Sequence, residues 1–88
     1  MSHSIIIARS AQKDMAALHP DARAEVDEHI QALGENPRPP GVVFLKGRRR
    51  GYLRVRASDY RVIYAVDDKT HTVAIVAVGP RGTVHTRL

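Results

Sequence analysis

"YLRVRASDYRVIY", residues 52–64, decides the fold, because its apolar residues alternate on both sides of a short polar gap at Ser58 and Asp59. Alternation with a period of two marks a strand half-buried against a core, and two such runs around a short gap read as a β-hairpin. With Ser58 and Asp59 as the central turn residues, Ala57 opposes Tyr60, Arg56 opposes Arg61, Val55 opposes Val62 and Arg54 opposes Ile63. Opposed residues project from the same face. Leu53, Val55, Tyr60, Val62 and Tyr64 therefore point to a core, while Arg54, Arg56, Arg61 and Ile63 point the other way. Two arginines stand directly across from each other, which costs on the scale of ~0.2–1 kcal/mol for cross-strand pairs. Folding supplies no reason to place them there.

Downstream, Thr72 to Val78 reads as the next strand. A four-residue loop, Asp68 to His71, pairs Asp67 with Thr72, Ile63 with Val76 and Arg61 with Val78. On that register Arg81 and the tail through His85 emerge near Arg61. Upstream, Val42 to Leu45 is a further strand candidate behind the turn-rich connector "NPRPPG", residues 36–41, which cannot continue a helix.

The N-terminal part reads differently. Ser4 to Ala8 is rich in β-branched residues and predicts a short strand, with Ser10 as the N-cap of a helix over about Ala11–Leu18. Pro20 suits the first turn of a second helix, and Asp21 and Glu25 near its start favour its dipole. Ala22, Val26, Ile30 and Leu33 form its apolar stripe, Asp27, Glu28 and Gln31 face water, and Gly34 with "NP" ends it. The chain predicts a single α+β domain over residues 1–88. Two N-terminal helices pack on one face of a mainly antiparallel four- to five-stranded sheet, in the order β-α-α-β-β-β.

A chain of 88 residues supports one core and a modest stability margin. The absence of cysteine excludes a disulfide framework and a thiolate zinc site and suits a reducing cytoplasm. The apolar run Ile5–Ala8 is too short for a signal peptide or a membrane span, which makes the expected protein soluble and cytoplasmic, without membrane contact. The net charge of +5 hides an asymmetry: residues 1–35 carry −3, and residues 36–88, with eleven Lys and Arg against three Asp, carry +8. Such a segment attracts polyanions, nucleic acid before acidic protein.

Any one of Arg54, Arg56 and Arg61 alone reads as an exposed strand position whose aliphatic stem covers apolar surface. Together, with Arg81 close by, they predict a phosphate-binding face, since planar guanidiniums match phosphate oxygens and stay charged. The run "KGRRRG", residues 46–51, is solvated turn charge, and Arg48, Arg49 and Arg50 have at most auxiliary backbone contacts. His3, His19, His29, His71 and His85 lack ligand spacing, so no metal is expected. His85 alone has an active-site reading, from its predicted neighbours; its plain reading is an exposed tail residue. The three tyrosines read as core or core-edge, and "DD" at 67–68 as turn chemistry. No nucleophile elbow, nucleotide-cradling glycine loop or carboxylate pair is present.

The segment "NPRPPGVVFLKGRRRGYLRVRASDYRVIYAVDDKTHTVAIVAVGPRGTVH", residues 36–85, resembles the C-terminal two-thirds of RelE-type toxins of bacterial type II toxin-antitoxin pairs, in the RelE/ParE superfamily. Its most specific parts are "LKG", then "LRVRASDYRVIYAVDD", then a strand ending "VGPR"; "SAQKDMAALHPDARAEVDEHIQAL" has the family's two-helix layout. The resemblance implies a metal-independent endoribonuclease that cleaves mRNA in the A site of the 30S subunit and arrests translation. It needs no cofactor, is neutralised by a cognate antitoxin, and meets operator DNA only through that antitoxin. It also implies roles: Arg61, Arg81 and His85 catalytic, with Lys46, Arg54 and Arg56 on RNA. Many members place a tyrosine where this chain has His85, and "GYL" departs from the commoner "LYR", which leaves Tyr52 without a role. Two alternatives stay open at this level: a ParE-like gyrase inhibitor, and a catalytically silent nucleic-acid-binding or corepressor module.

Overall fold

The computed structural model describes residues 2–80. They run as β1 (Ser4–Ile7), α1 (Arg9–Ala16), α2 (Pro20–Glu35), β2 (Val43–Phe44), a 3-10 turn (Gly47–Arg49), β3 (Leu53–Ala57), β4 (Tyr60–Asp67) and β5 (Thr72–Pro80). The described strands form one sheet in the order β1-β5-β4-β3-β2, with β1 parallel to β5 and the other pairings antiparallel. The chain leaves β1 at one edge and re-enters at β2 on the other, so α1 and α2 lie across one face. This is the expected α+β architecture.

The helical stripes make the core. Ala11 and Met15 of α1 and Val26, Ile30 and Leu33 of α2 are buried against Leu53, Ala57, Val62, Tyr64, Val73, Ile75 and Val78. Tyr64 is fully buried, and its hydroxyl donates to the Pro37 carbonyl at 2.7 Å, so the connector after α2 satisfies the one polar atom this side chain brings inside. Ile63 and Ala77 belong to a second, smaller cluster on the open face with Leu45, Tyr52 and Val76. Among the described residues no helix is long and apolar enough to cross a membrane.

The β3–β4 register holds residue for residue: Ala57 opposes Tyr60, Arg56 opposes Arg61, Val55 opposes Val62 and Arg54 opposes Ile63. Ser58 accommodates the tight turn at φ +59°, a left-handed conformation. The β4–β5 register holds from Asp67–Thr72 to Tyr64–Ile75, then slips by one, because Val76 is an extra residue and Ile63 opposes Ala77 instead. This bulge corrects the expected Arg61–Val78 pair: Gly79 stands opposite Arg61, and Val78 turns into the helix-covered core.

Three local readings also change. α1 begins at Arg9 with Ala8 at the N-cap position, and the Ser10 hydroxyl donates to the Val76 carbonyl at 2.7 Å instead of capping the helix. Gly34 does not end α2, which runs on to Glu35. The Gly34 carbonyl accepts from the His3 amide at 2.7 Å, and a Cβ on this residue would meet the His3 carbonyl oxygen at 2.9 Å, so close approach to the N-terminal segment is what requires glycine. The strand expected over Val42–Leu45 is reduced to Val43 and Phe44, since Val42 is turned back by a bond to Pro39 and the next residues enter the 3-10 turn.

Candidate functional site

The hairpin sets the site. β3 and β4 are held together by the ladder, and alternation leaves Arg54, Arg56 and Arg61 on the face away from the helices because Leu53, Val62 and Tyr64 are taken up by the core. Arg56 is exposed and Arg54 and Arg61 are half-buried. The Arg56 Nε donates to the Ser58 carbonyl at 3.2 Å, which steadies the guanidinium beside its own turn through a neutral acceptor. Neither β3 nor the facing part of β4 supplies an acid at a strand position on this side. Gly79 stands opposite Arg61 and is itself buried, so β5 sets no side chain at that register position.

Lys46 stands apart from the pair. It precedes the 3-10 turn and is exposed, at the end of β3 farther from the hairpin tip. Tyr52, which follows that turn, and Arg56 are four residues apart, roughly 13 Å along a strand. The structure brings Arg54, Arg56 and Arg61 together and leaves Lys46 at the distal end of the basic strip. Arg81 and His85 lie outside the described residues; the strand that leads to Arg81 ends with Pro80 opposite Tyr60.

Two residues near the site escape sequence reasoning. The Asp14 Oδ2 accepts the Val78 amide at 2.9 Å, and Ser10 holds Val76. Their spacing of four on one helix face was the available signal, but nothing in the sequence says that this face meets β5. A shallow groove of about 260 Å³ also opens between α2 and β3, walled by Ala32, Leu33, Pro39, Pro40 and Val55, with His29 and Arg56 on its lining.

The opposite end of the sheet holds a different charge cluster. Arg38 donates to both carboxylate oxygens of Asp68, at 3.3 and 2.9 Å, and the His3 Nε2 lies 3.3 Å from Asp68 Oδ1. The Arg38 and then the His3 hydrogen bonds hold the Asp68 carboxyl below its ordinary range. The His3 ring meets His71 edge-on at 5.3 Å between centroids. Burial pushes the Tyr64 phenol up to about 12, so it is neutral at physiological pH. Among the described residues no three His, Asp or Glu side chains converge as metal ligands.

Comparison with known proteins places this geometry in context. The family model for the ParE toxin of type II toxin-antitoxin systems (parDE) matches residues 5–84. No curated protein matches by sequence. The toxin-antitoxin complex RelBE2 of Mycobacterium tuberculosis has a chain similar in structure at a TM-score of 0.85 and 27% identity, over 92% of this chain and 93% of that one. The archaeal RelE-RelB complex from Pyrococcus horikoshii OT3 is similar at a TM-score of 0.79 and 29% identity, over 96% and 100%. A mutant of the Escherichia coli toxin RelE in the free state, with two of its arginines replaced by alanine, shares the fold at a TM-score of 0.77 and 20% identity, over 99% and 92%.

Proposed function

Since this chain belongs to the ParE toxin family of type II toxin-antitoxin systems, we propose that it is a ribosome-dependent mRNA endoribonuclease, held in check by a cognate antitoxin. The observation that carries the reading is the cross-strand pair Arg56–Arg61 with Arg54 two residues away, an arrangement that costs folding energy and suits a phosphate backbone. An antitoxin partner is supported by the structural neighbours from M. tuberculosis and P. horikoshii, both complexes of toxin with antitoxin.

The chemistry fits the side chains available. The 2′-hydroxyl of one nucleotide attacks the adjacent phosphate; His85 takes its proton, the bond to the 5′-oxygen breaks, and the products are a 2′,3′-cyclic phosphate and a 5′-hydroxyl. Arg61 stabilises the charge that builds on the phosphate oxygens, and Arg81 stabilises the departing 5′-oxygen, which takes up a proton from water while the His85 imidazolium later returns its proton to solvent. Arg54 and Arg56 orient the backbone, and Lys46 adds a distal contact. The nucleophile is the substrate's own hydroxyl and the cations are side chains, so the step as written uses no metal.

Induced expression of the wild type beside Arg61→Ala and His85→Ala, with primer extension on a reporter mRNA, tests this. Growth arrest with new 5′ ends that disappear in Arg61→Ala is the expected result, and the His85 variant then assigns the base. A deoxy substitution at the cleaved nucleotide should abolish cutting; a cut there would sink the mechanism. The second reading, a gyrase inhibitor, is favoured by one observation, that the matching family model is the ParE one. Arrest with intact mRNA and blocked supercoiling would select it, and no arrest would select a silent binding module.

A further inference from the structure

β1 pairs with β5 only as far as Ile7 and Ile75. Beyond that point β5 runs on to Pro80 without a strand on its β1 side among the described residues, and this is the stretch that contains the bulge and faces Arg61. A strand edge in this position needs its amides and carbonyls satisfied by something else. α1 supplies it. Ala8 donates to the Ile75 carbonyl at 2.8 Å, the Ser10 hydroxyl to the Val76 carbonyl at 2.7 Å, and Asp14 accepts the Val78 amide at 2.9 Å. Ser10 and Asp14 are four residues apart and so lie on one face of the helix, one turn above the other. They bind β5 on either side of Ala77, where the slipped register begins.

We infer that Ser10 and Asp14 are positioning residues: a side-chain clamp on α1 that holds the β5 bulge, and with it the register that sets Gly79 against Arg61. The inference rests on the proposed nuclease reading, in which the placement of Arg61 at the phosphate matters. Without the clamp, the continuous apolar run "VAIVAV", residues 73–78, offers competing registers a single residue apart. The regular register would return Val78 to the open face and set it, in place of Gly79, opposite Arg61. Ser10 fixes the carbonyl of the extra residue and Asp14 the amide two residues on, so the pair selects the bulged form. The bond from the Val78 amide needs only an acceptor oxygen, so an amide in place of the Asp14 carboxylate keeps that bond.

The test combines amide hydrogen exchange with cleavage of mRNA on programmed ribosomes, using Asp14→Ala, Asp14→Asn, Ser10→Ala and the double Ala variant of the full chain. A hydrogen bond to a charged group sets the scale: Val78 amide exchange should rise on the order of 10-fold or more in Asp14→Ala, while the Val62 amide changes less than about 3-fold. The maximal cleavage rate should fall on the order of 10-fold at an unchanged half-saturating ribosome concentration. Asp14→Asn should recover most of both, and Ser10→Ala, the milder change, should move both the same way. An unchanged Val78 amide in Asp14→Ala overturns the clamp, and a faster Val78 amide with an unchanged maximal rate overturns its role in positioning. A wild type that makes no cut overturns the nuclease reading and the positioning role with it, while the exchange result still decides separately whether the clamp exists.

Discussion

At the hairpin end of β4, Arg61 stands across from Arg56; at its other end, past Asp67, Arg38 grips Asp68 with both terminal nitrogens and His3 closes on the same carboxylate. The two ends are roughly 20 Å apart on one strand. At the far end cations meet an acid, and the cluster ties three parts of the fold together: the N-terminal segment, the connector after α2 and the β4–β5 turn. At the hairpin end like charges are opposed, and Arg56 bonds a neutral carbonyl of its own turn. The far end is built as a closed ion-pair cluster, whereas the hairpin end sets two like charges across one ladder position, the arrangement on which the proposed phosphate-binding role rests.

Removing an arginine from the hairpin end breaks the comparison most directly. Arg61→Ala should lower mRNA cleavage by about 10²–10³-fold, the scale for losing one donor to a developing oxyanion. Its thermal stability should stay within about 1 kcal/mol of the wild type, because relief of the opposed charges offsets lost packing. A large loss of stability without a proportionate loss of cleavage would place Arg61 with the structural arginines.

The next largest effect belongs to the far end and appears in alkali. The Tyr64 phenol lies at about 12 in the folded chain against an ordinary 10. The folded value is the higher, so burial of the neutral phenol contributes fully below pH 10, and that stability is lost as pH rises through 12. The difference corresponds to about 3 kcal/mol. Tyr64→Phe should remove most of this alkaline loss, at a cost near neutral pH of about 1 kcal/mol for the unmade bond to Pro37. Unfolding titrations between pH 8 and 12 read both quantities.

Gly34→Ala sharpens the same contrast at a smaller scale. The new Cβ would press on the His3 carbonyl oxygen at 2.9 Å, a backbone atom that cannot swing aside. Overpacking of this kind costs about 1–3 kcal/mol, and the better helix propensity of alanine returns up to about 1. The net expectation is a loss of about 1 kcal/mol by denaturant unfolding, with cleavage per folded molecule unchanged.

The sequence was legible where local chemistry decides and opaque where distant backbone meets. The hairpin register could be read because two polar turn residues interrupt strict alternation, and one face had to be buried. The slip at Val76 could not, since "VAIVAV" is apolar at every position and nothing marks the extra residue. Ser10 carries a helix-cap signature, yet its hydroxyl serves a carbonyl 66 positions away. Gly34 resembles a helix terminator, and its reason for being glycine is the approach of residue 3. "DD" divides in the same way. Asp67 is turn chemistry, accepting the amides of Lys69 and Thr70, whereas Asp68 is the anchor for Arg38, a partner no local rule names. At the site, the arginines of the hairpin were legible for the same reason as its register, and the Ser10 and Asp14 supports were hidden for the same reason as the bulge.

The smallest effect is expected where the salt bridge itself is cut. Asp68 is exposed, with 61% of its side chain accessible, and exposed pairs contribute little, because water screens them and two side chains must be ordered. Asp68→Asn should therefore lower the melting temperature only slightly. The change should be specific in pH: the folded carboxyl titrates below its ordinary value, so its contribution is complete above about pH 3.9 and fades as pH falls through the lower folded value. Wild type and variant should converge in acid and under high salt, with cleavage equal in both at neutral pH. A large loss of cleavage in Asp68→Asn would couple the two ends of the sheet, and the division between structural and ligand-binding arginines would then have to be redrawn.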